Sequence, residues 1–69
     1  MYYIGTKEEC EAYNNLVTTS EGYHGTTTSW GKVLKHPTND IFAIIKNDKY
    51  EAPLEQATTE EISNWYQNV

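Results

Sequence analysis

The spacing of apolar residues predicts an amphipathic helix near the start of the chain. Thr6 and Glu9 have the spacing of a capping box, in which each side chain accepts a hydrogen bond from the other residue's amide. Apolar side chains then recur at i, i+3, i+6 and i+7, which is typical of one helical face. These four residues are Cys10, Tyr13, Leu16 and Val17. We expect a helix from about residue 7 to residue 18, ended by the polar and glycine-bearing residues that follow.

Residues 58–69 repeat this arrangement. Thr58 and Glu61 have the spacing of a second capping box. The apolar positions that follow lie at i, i+3, i+4 and i+7, with polar residues between them. They are Ile62, Trp65, Tyr66 and Val69. The pattern predicts a second amphipathic helix in this region.

Short β-prone segments precede and separate the predicted helices. Residues 26–34 are rich in threonine, and their side chains fall into two alternating sets, at even and at odd positions. This pattern is typical of a half-exposed strand. Residues 41–45 are continuously apolar, the pattern of the most buried strand. Polar turn signals follow each of these two segments. Residues 2–4 predict a further strand, and residues 50–52 predict a short one that Pro53 ends.

The order of these elements, β-α-β-β-(β)-α, predicts a small α+β domain with two layers. We expect an antiparallel meander of three to four strands, with both helices on one of its faces. No repeat, linker or low-complexity segment divides the chain, so residues 1–69 are expected to form a single domain.

Length and charge exclude several classes of function. The chain has 69 residues and a net charge of −5, and its basic residues are all lysines. Without arginine it lacks bidentate contacts to phosphate or guanine, and its acidic charge opposes nucleic-acid binding. No apolar run approaches the ~20 residues that cross a bilayer. We therefore expect neither a nucleic acid nor a membrane as partner. With no leader-like segment at the start and a single cysteine, the sequence favours a reducing compartment.

The residues that could carry catalysis have ordinary structural explanations. Cys10 lies at the start of a helix, which lowers a thiol pKa, but acidic neighbours oppose the thiolate and its position fits a small core residue. His24, His36 and Asp40 match no metal-ligand spacing. A Ser-His-Asp set can be chosen from Ser20 or Ser29, His24 and Asp40, but no nucleophile-elbow pattern accompanies it. We expect no catalytic residue, no metal and no cofactor.

Aromatic side chains at the surface remain as candidates for a functional role, because so small a domain buries only part of its nine aromatic residues. The residues predicted to contact a partner are Tyr23, Thr28, Trp30, Trp65 and Tyr66. Residues 26–30 carry neither charge nor proline, so a strand there would form an unguarded edge. That edge would either pair with another chain, giving a homo-oligomer, or be covered by residues 2–4.

Three stretches carry a resemblance to known proteins. They are Tyr2-Tyr3-Ile4-Gly5-Thr6-x-Glu8-Glu9-Cys10-x-Ala12-Tyr13-Asn14, then Tyr23-x-Gly25-Thr26-Thr27-x-x-Trp30, then His36-Pro37 followed by an Ile/Phe-Ala-Ile strand. Together they resemble small, uncharacterised proteins that phages encode near structural and tail genes.

The resemblance implies a non-enzymatic phage accessory protein, virion-associated or structural, in the virion or the host cytoplasm. Such a protein would act through protein–protein contacts or self-association. A second hypothesis is a small acidic inhibitor of a host factor, which would present its glutamate-rich helices to a basic groove. An enzyme that uses Cys10, His24 or His36 is a third and less favoured hypothesis.

Overall fold

A computed structural model describes residues 1–22 and 30–67. Within these ranges it contains four strands in one antiparallel sheet and two helices, which confirms the predicted small α+β fold. The elements are β1 (Tyr2–Gly5), α1 (Lys7–Ser20), β2 (Leu34–Lys35), β3 (Phe42–Ile45), β4 (Glu55–Ala57) and α2 (Thr59–Asn64).

The sheet has the strand order β2-β3-β1-β4, with β1 between β3 and β4. Tyr3 lies opposite Ile44 on one side and Gln56 on the other. The predicted meander is therefore wrong in its pairing, because β4 pairs with β1 and not with its predecessor β3. Both faces of β1 carry apolar side chains, and a strand of that kind belongs in the interior of a sheet.

The two helices lie against opposite faces of the sheet, so the expectation that they share one face is wrong. Tyr3 and Ile44 pack with α1, in a cluster with Cys10, Tyr13 and Val17. Ala43 and Ala57 point the other way and pack with Ile62 of α2. Successive side chains on a strand alternate between faces. Because apolar residues occupy both sets of positions, each face needs its own helix.

The capping box predicted at the start of α1 is present. The Thr6 side chain accepts from the Glu9 amide, and the Glu9 carboxylate accepts from the Thr6 amide at 2.8 Å. The helix continues two residues beyond the predicted end, to Ser20. Gly22 then adopts a positive φ of 88°, a conformation that favours glycine and commonly ends helices.

Residues 30–33 are not a strand, although the sequence predicts one over residues 26–34. Residues 26–29 lie outside the described ranges, and β2 begins only at Leu34. Asn14 donates its side-chain amide to the Gly31 carbonyl at 2.9 Å, and its carbonyl oxygen accepts from the Gly31 amide at 3.0 Å. Thr18 accepts from the Trp30 amide at 2.9 Å. Side chains of α1 thus form the hydrogen bonds with this backbone that a neighbouring strand would otherwise form.

The third predicted strand of the meander, residues 50–52, is also wrong, because β4 begins after Pro53. Backbone groups of this segment bind core tyrosine hydroxyls: the Tyr3 hydroxyl accepts from the Ala52 amide at 3.2 Å, and the Tyr13 hydroxyl donates to the Tyr50 carbonyl at 2.8 Å.

The second helix begins at Thr59 as predicted, and the Thr58 side chain accepts from the Glu61 amide. The predicted second capping box is only half formed, because the reciprocal bond from the Thr58 amide to the Glu61 carboxylate is not made. The helix ends at Asn64, before most of the predicted stripe. Ile62 is buried, Trp65 is half-buried, and Tyr66 is 46 % exposed. Val69 lies outside the described residues.

Candidate interaction groove

A surface groove runs beside α1. Its first wall is a stripe of α1 next to the stripe that faces the sheet. Glu9, Ala12, Tyr13 and Leu16 form it, at i, i+3, i+4 and i+7. Leu16 is 48 % exposed, so it does not share the buried face with Cys10, Tyr13 and Val17 as the apolar spacing predicts. Its offset of i+6 from Cys10 places it about 120° around the helix, at 3.6 residues per turn. Asn14, at i+4 from Cys10, occupies the buried face in its place.

The opposite wall is the segment of residues 51–54, which connects β3 to β4. It contributes Glu51, Ala52, Pro53 and Leu54 to the groove. Together the two walls enclose about 380 Å³. We call this feature the α1 groove.

Two buried tyrosines hold the α1 groove in shape from below. The Tyr13 hydroxyl accepts from the Asn47 amide at 2.9 Å in addition to its bond to Tyr50, and the Tyr3 hydroxyl binds Ala52. The Tyr3 and Tyr13 rings pack edge to face, with centroids 5.0 Å apart. Burial raises the pKa of the Tyr13 hydroxyl above its ordinary value. The tyrosine hydroxyls therefore bind the backbone of the second wall at Ala52 and the backbone just before it at Asn47 and Tyr50.

A smaller hollow of about 240 Å³ adjoins the α1 groove and shares Glu9 with it. Ile4 and Ile41 provide its apolar surface. Asp40 and Glu55 add carboxylates to that of Glu9. We call it the acidic hollow.

Of the residues predicted to contact a partner, the described ones lie on both sides of the sheet, with Trp30 on one side and Trp65 on the other. Tyr23 and Thr28 lie outside the described residues. Trp30 is half-buried and packs edge to face on Tyr13, with centroids 6.4 Å apart, as part of the cluster beneath α1. It therefore supports the core on the α1 side of the sheet.

Trp65 and Tyr66 belong to the opposite face, near β2. The Trp65 ring packs edge to face on His36 at 5.0 Å. The Tyr66 hydroxyl donates to the Lys35 carbonyl at 2.9 Å. These two aromatic residues thus pack against the edge of the sheet within the same chain.

Two of the candidate catalytic residues, Cys10 and His36, have different surroundings in the described part of the chain. Cys10 is fully buried, and burial together with the charge of Glu9 raises the pKa of its thiol to about 11. His36 is half-buried, and its Nδ1 accepts from the amides of Thr38 and Asn39. His24 and Ser29 lie outside the described ranges. Within those ranges no three His, Cys, Asp or Glu side chains are grouped to hold a metal.

The sequence interpretation missed the α1 groove because half of it comes from a segment without regular structure. Residues 51–54 show no periodicity, and their contact with α1 depends on the tyrosine hydroxyls. A signal was present in α1, where Ala12 and Leu16 fall on a stripe that the core does not need.

In residues 1–22 and 30–67, neither helix is long and apolar enough to span a bilayer. Comparisons of the chain with protein-family models, with curated proteins and with solved structures found no match.

Proposed function

We propose that this chain is a small, non-enzymatic accessory protein that binds another protein through the α1 groove. The apolar groove carries the proposal, because a partner that covers exposed Leu16 and half-buried Leu54 would remove their remaining apolar surface from water, which is favourable. The phage context, with a structural role in the virion, comes from the sequence resemblance.

The fixed shape of the groove supports a binding role. The α1 wall is regular helix, and the hydroxyls of Tyr3 and Tyr13 hold the other wall by its backbone. A site already in its bound shape loses less conformational entropy on binding than a mobile one. The groove is therefore suited to recognition without a preceding rearrangement.

Site-specific photo-cross-linking tests the proposal. A benzophenone-bearing residue replaces Leu16 in the groove, and in a matched protein it replaces Ile45, which is 42 % exposed but outside the groove. In cells that produce the phage, we expect a covalent adduct of defined mass from position 16 and none from position 45. The proposal fails if neither position gives an adduct or if both give the same adducts.

The virion assignment has its own measurement. Mass spectrometry of purified phage particles should detect this chain at a constant ratio to the capsid protein. Its loss during purification would remove the structural role and leave an accessory role in the host cytoplasm.

A second candidate function is inhibition of a host factor by acidic surface. Both helices carry glutamates in the first turn and no basic residue in the last turn. These glutamates are exposed: Glu8, Glu9, Glu60 and Glu61. Binding by such a surface should weaken steeply as salt increases, because exposed charges are screened. Binding that changes little with salt would exclude this second candidate.

A further inference from the structure

Both walls of the α1 groove carry carboxylates at an otherwise apolar surface. Glu9 stands on the helical wall and Glu51 on the opposite one, and both are exposed. Asp40 and Glu55 continue the same charge into the adjoining acidic hollow. Among the described residues that line these two cavities, none is basic. The charged side chains that line the two cavities are therefore all acidic.

The size of the groove limits what it can hold. Its helical wall from Glu9 to Leu16 is roughly 10 Å long, at the rise of an α-helix. That length matches about two turns of a helix or about three residues of an extended chain. The occupant is thus a short segment and not the broad face of a domain.

From the apolar walls and the carboxylates beside them, we infer that the α1 groove binds a short segment of a partner protein that carries a large apolar side chain flanked by lysine or arginine. The inference rests on the proposed function and adds the chemistry of the partner. The apolar side chain enters between Leu16 and Leu54. The flanking cations face Glu9 and Glu51, which sets the orientation of the segment and speeds its encounter.

Peptide selection tests this inference without assuming a backbone conformation. A random library of about 12-residue peptides, long enough for the groove in either conformation, is selected on the wild-type protein. Binders that also bind Leu16→Ser are discarded, while Ile45→Ser serves as the matched control of similar exposure. We expect the remaining peptides to share a bulky apolar residue next to lysine or arginine. Circular dichroism establishes that both variants are folded.

Variants at the carboxylates then test the charge. For a selected peptide, Glu51→Lys should weaken binding about fivefold or more, in line with the strength of exposed ion pairs. Glu60→Lys makes the same charge change on α2, outside the groove, and should alter binding less than about twofold.

The outcomes separate the inference from the proposed function. Peptides that depend on Leu16 but have neutral or acidic flanks would overturn the inference and leave the groove as a binding site. The absence of any Leu16-dependent peptide would overturn both. A wild-type dimer that Leu16→Ser converts to a monomer would show that a second copy of the chain is the occupant, which also overturns the inference.

Discussion

At the scale of single residues, Cys10 shows how burial alters a reactive group. Its side chain is fully buried with Tyr3 and Val17, and the thiol pKa is raised to about 11, first by loss of water and then by the charge of Glu9. A thiol with this pKa is protonated at neutral pH, and thiolate is the nucleophilic form. The structure therefore gives Cys10 a packing role.

Replacing Cys10 should cost stability without affecting any chemistry. We expect Cys10→Ala to lower the free energy of unfolding by about 1 kcal/mol, because a buried atom is lost from the cluster. Denaturant titration measures the change. Rapid labelling of the native wild-type protein by a thiol reagent would contradict the buried, protonated state.

The raised pKa of Cys10 also predicts a dependence of stability on pH. The thiol has an ordinary pKa of 9.0 and one of about 11 in the native chain. Between these values the unfolded state holds fewer protons than the native state, so the free energy of unfolding falls as pH rises. Below the lower value the contribution is complete. Between about pH 8 and about pH 10, the free energy of unfolding should fall less for Cys10→Ala than for wild type, and denaturant titration at the two pH values measures both falls. Equal falls would contradict the raised pKa of Cys10.

Asn14 is the buried polar residue of α1, at 8 % exposure. Its side chain makes two hydrogen bonds to the backbone of Gly31, where an added Cβ would lie 3.1 Å from Ile44 Cδ1. Asn14→Leu removes both bonds at a tightly packed site. We expect a loss of about 2 kcal/mol in the free energy of unfolding. Asn15→Leu, on the exposed side of the same helix, is the control and should change it by less than about 0.5 kcal/mol.

At the scale of elements, the two helix caps differ in completeness. Thr6 and Glu9 form a reciprocal box, and α1 supplies three buried side chains to the core besides Asn14. The shorter α2 supplies one buried residue, Ile62. An N-cap threonine typically contributes about 1 kcal/mol to the free energy of unfolding. Weakening the helix that carries more of the core should lower that free energy more. The caps should therefore differ in their effect on stability.

Thr6→Ala is expected to lower the free energy of unfolding by about 1 to 2 kcal/mol, and Thr58→Ala by about 0.5 to 1 kcal/mol. Thermal denaturation of both variants under one set of conditions measures the order. A larger loss from Thr58→Ala would mean that α2 contributes more to the fold than its buried area indicates.

The caps could be predicted from the sequence because their partners lie three residues apart. The strand pairing could not, because it depends on contacts between distant segments. Trp30 and Gly31 have the composition of a strand, yet the side chains of Asn14 and Thr18 bind their backbone. Local propensity competes with tertiary contacts, and here the tertiary contacts decide. The α1 groove was missed for the same reason, since its second wall is placed by Tyr3 and Tyr13.

At the scale of the whole molecule, the edges of the sheet bear on self-association. The edge strand β2 has two residues, and Lys35 lies in it. His36 donates its amide to Ile41 across the hairpin, so the backbone groups of Lys35 point away from β3. The Tyr66 hydroxyl donates a hydrogen bond to the Lys35 carbonyl. At the other edge, Pro53 and Glu55 lie before and within β4. Short, charged and covered edges resist strand addition.

We therefore expect a monomer of 8.0 kDa in sedimentation at micromolar concentration. The double variant Lys35→Val with Tyr66→Phe exposes the β2 edge and should shift the measured mass upwards. A wild-type dimer that this double variant leaves unchanged would place the interface away from the edge.

The central position of β1 has a consequence for the order in which the chain folds during synthesis. This strand leaves the ribosome first, but its two neighbours, β3 and β4, emerge only after α1 and the long connection that follows it. The N-terminal helix can form early from local contacts, whereas the sheet waits for residues 55–57. The sheet therefore cannot close until β4 has left the ribosome, and the nascent chain exposes Tyr2 and Ile4 until then. A ribosome stalled before β4 should carry a protease-sensitive chain.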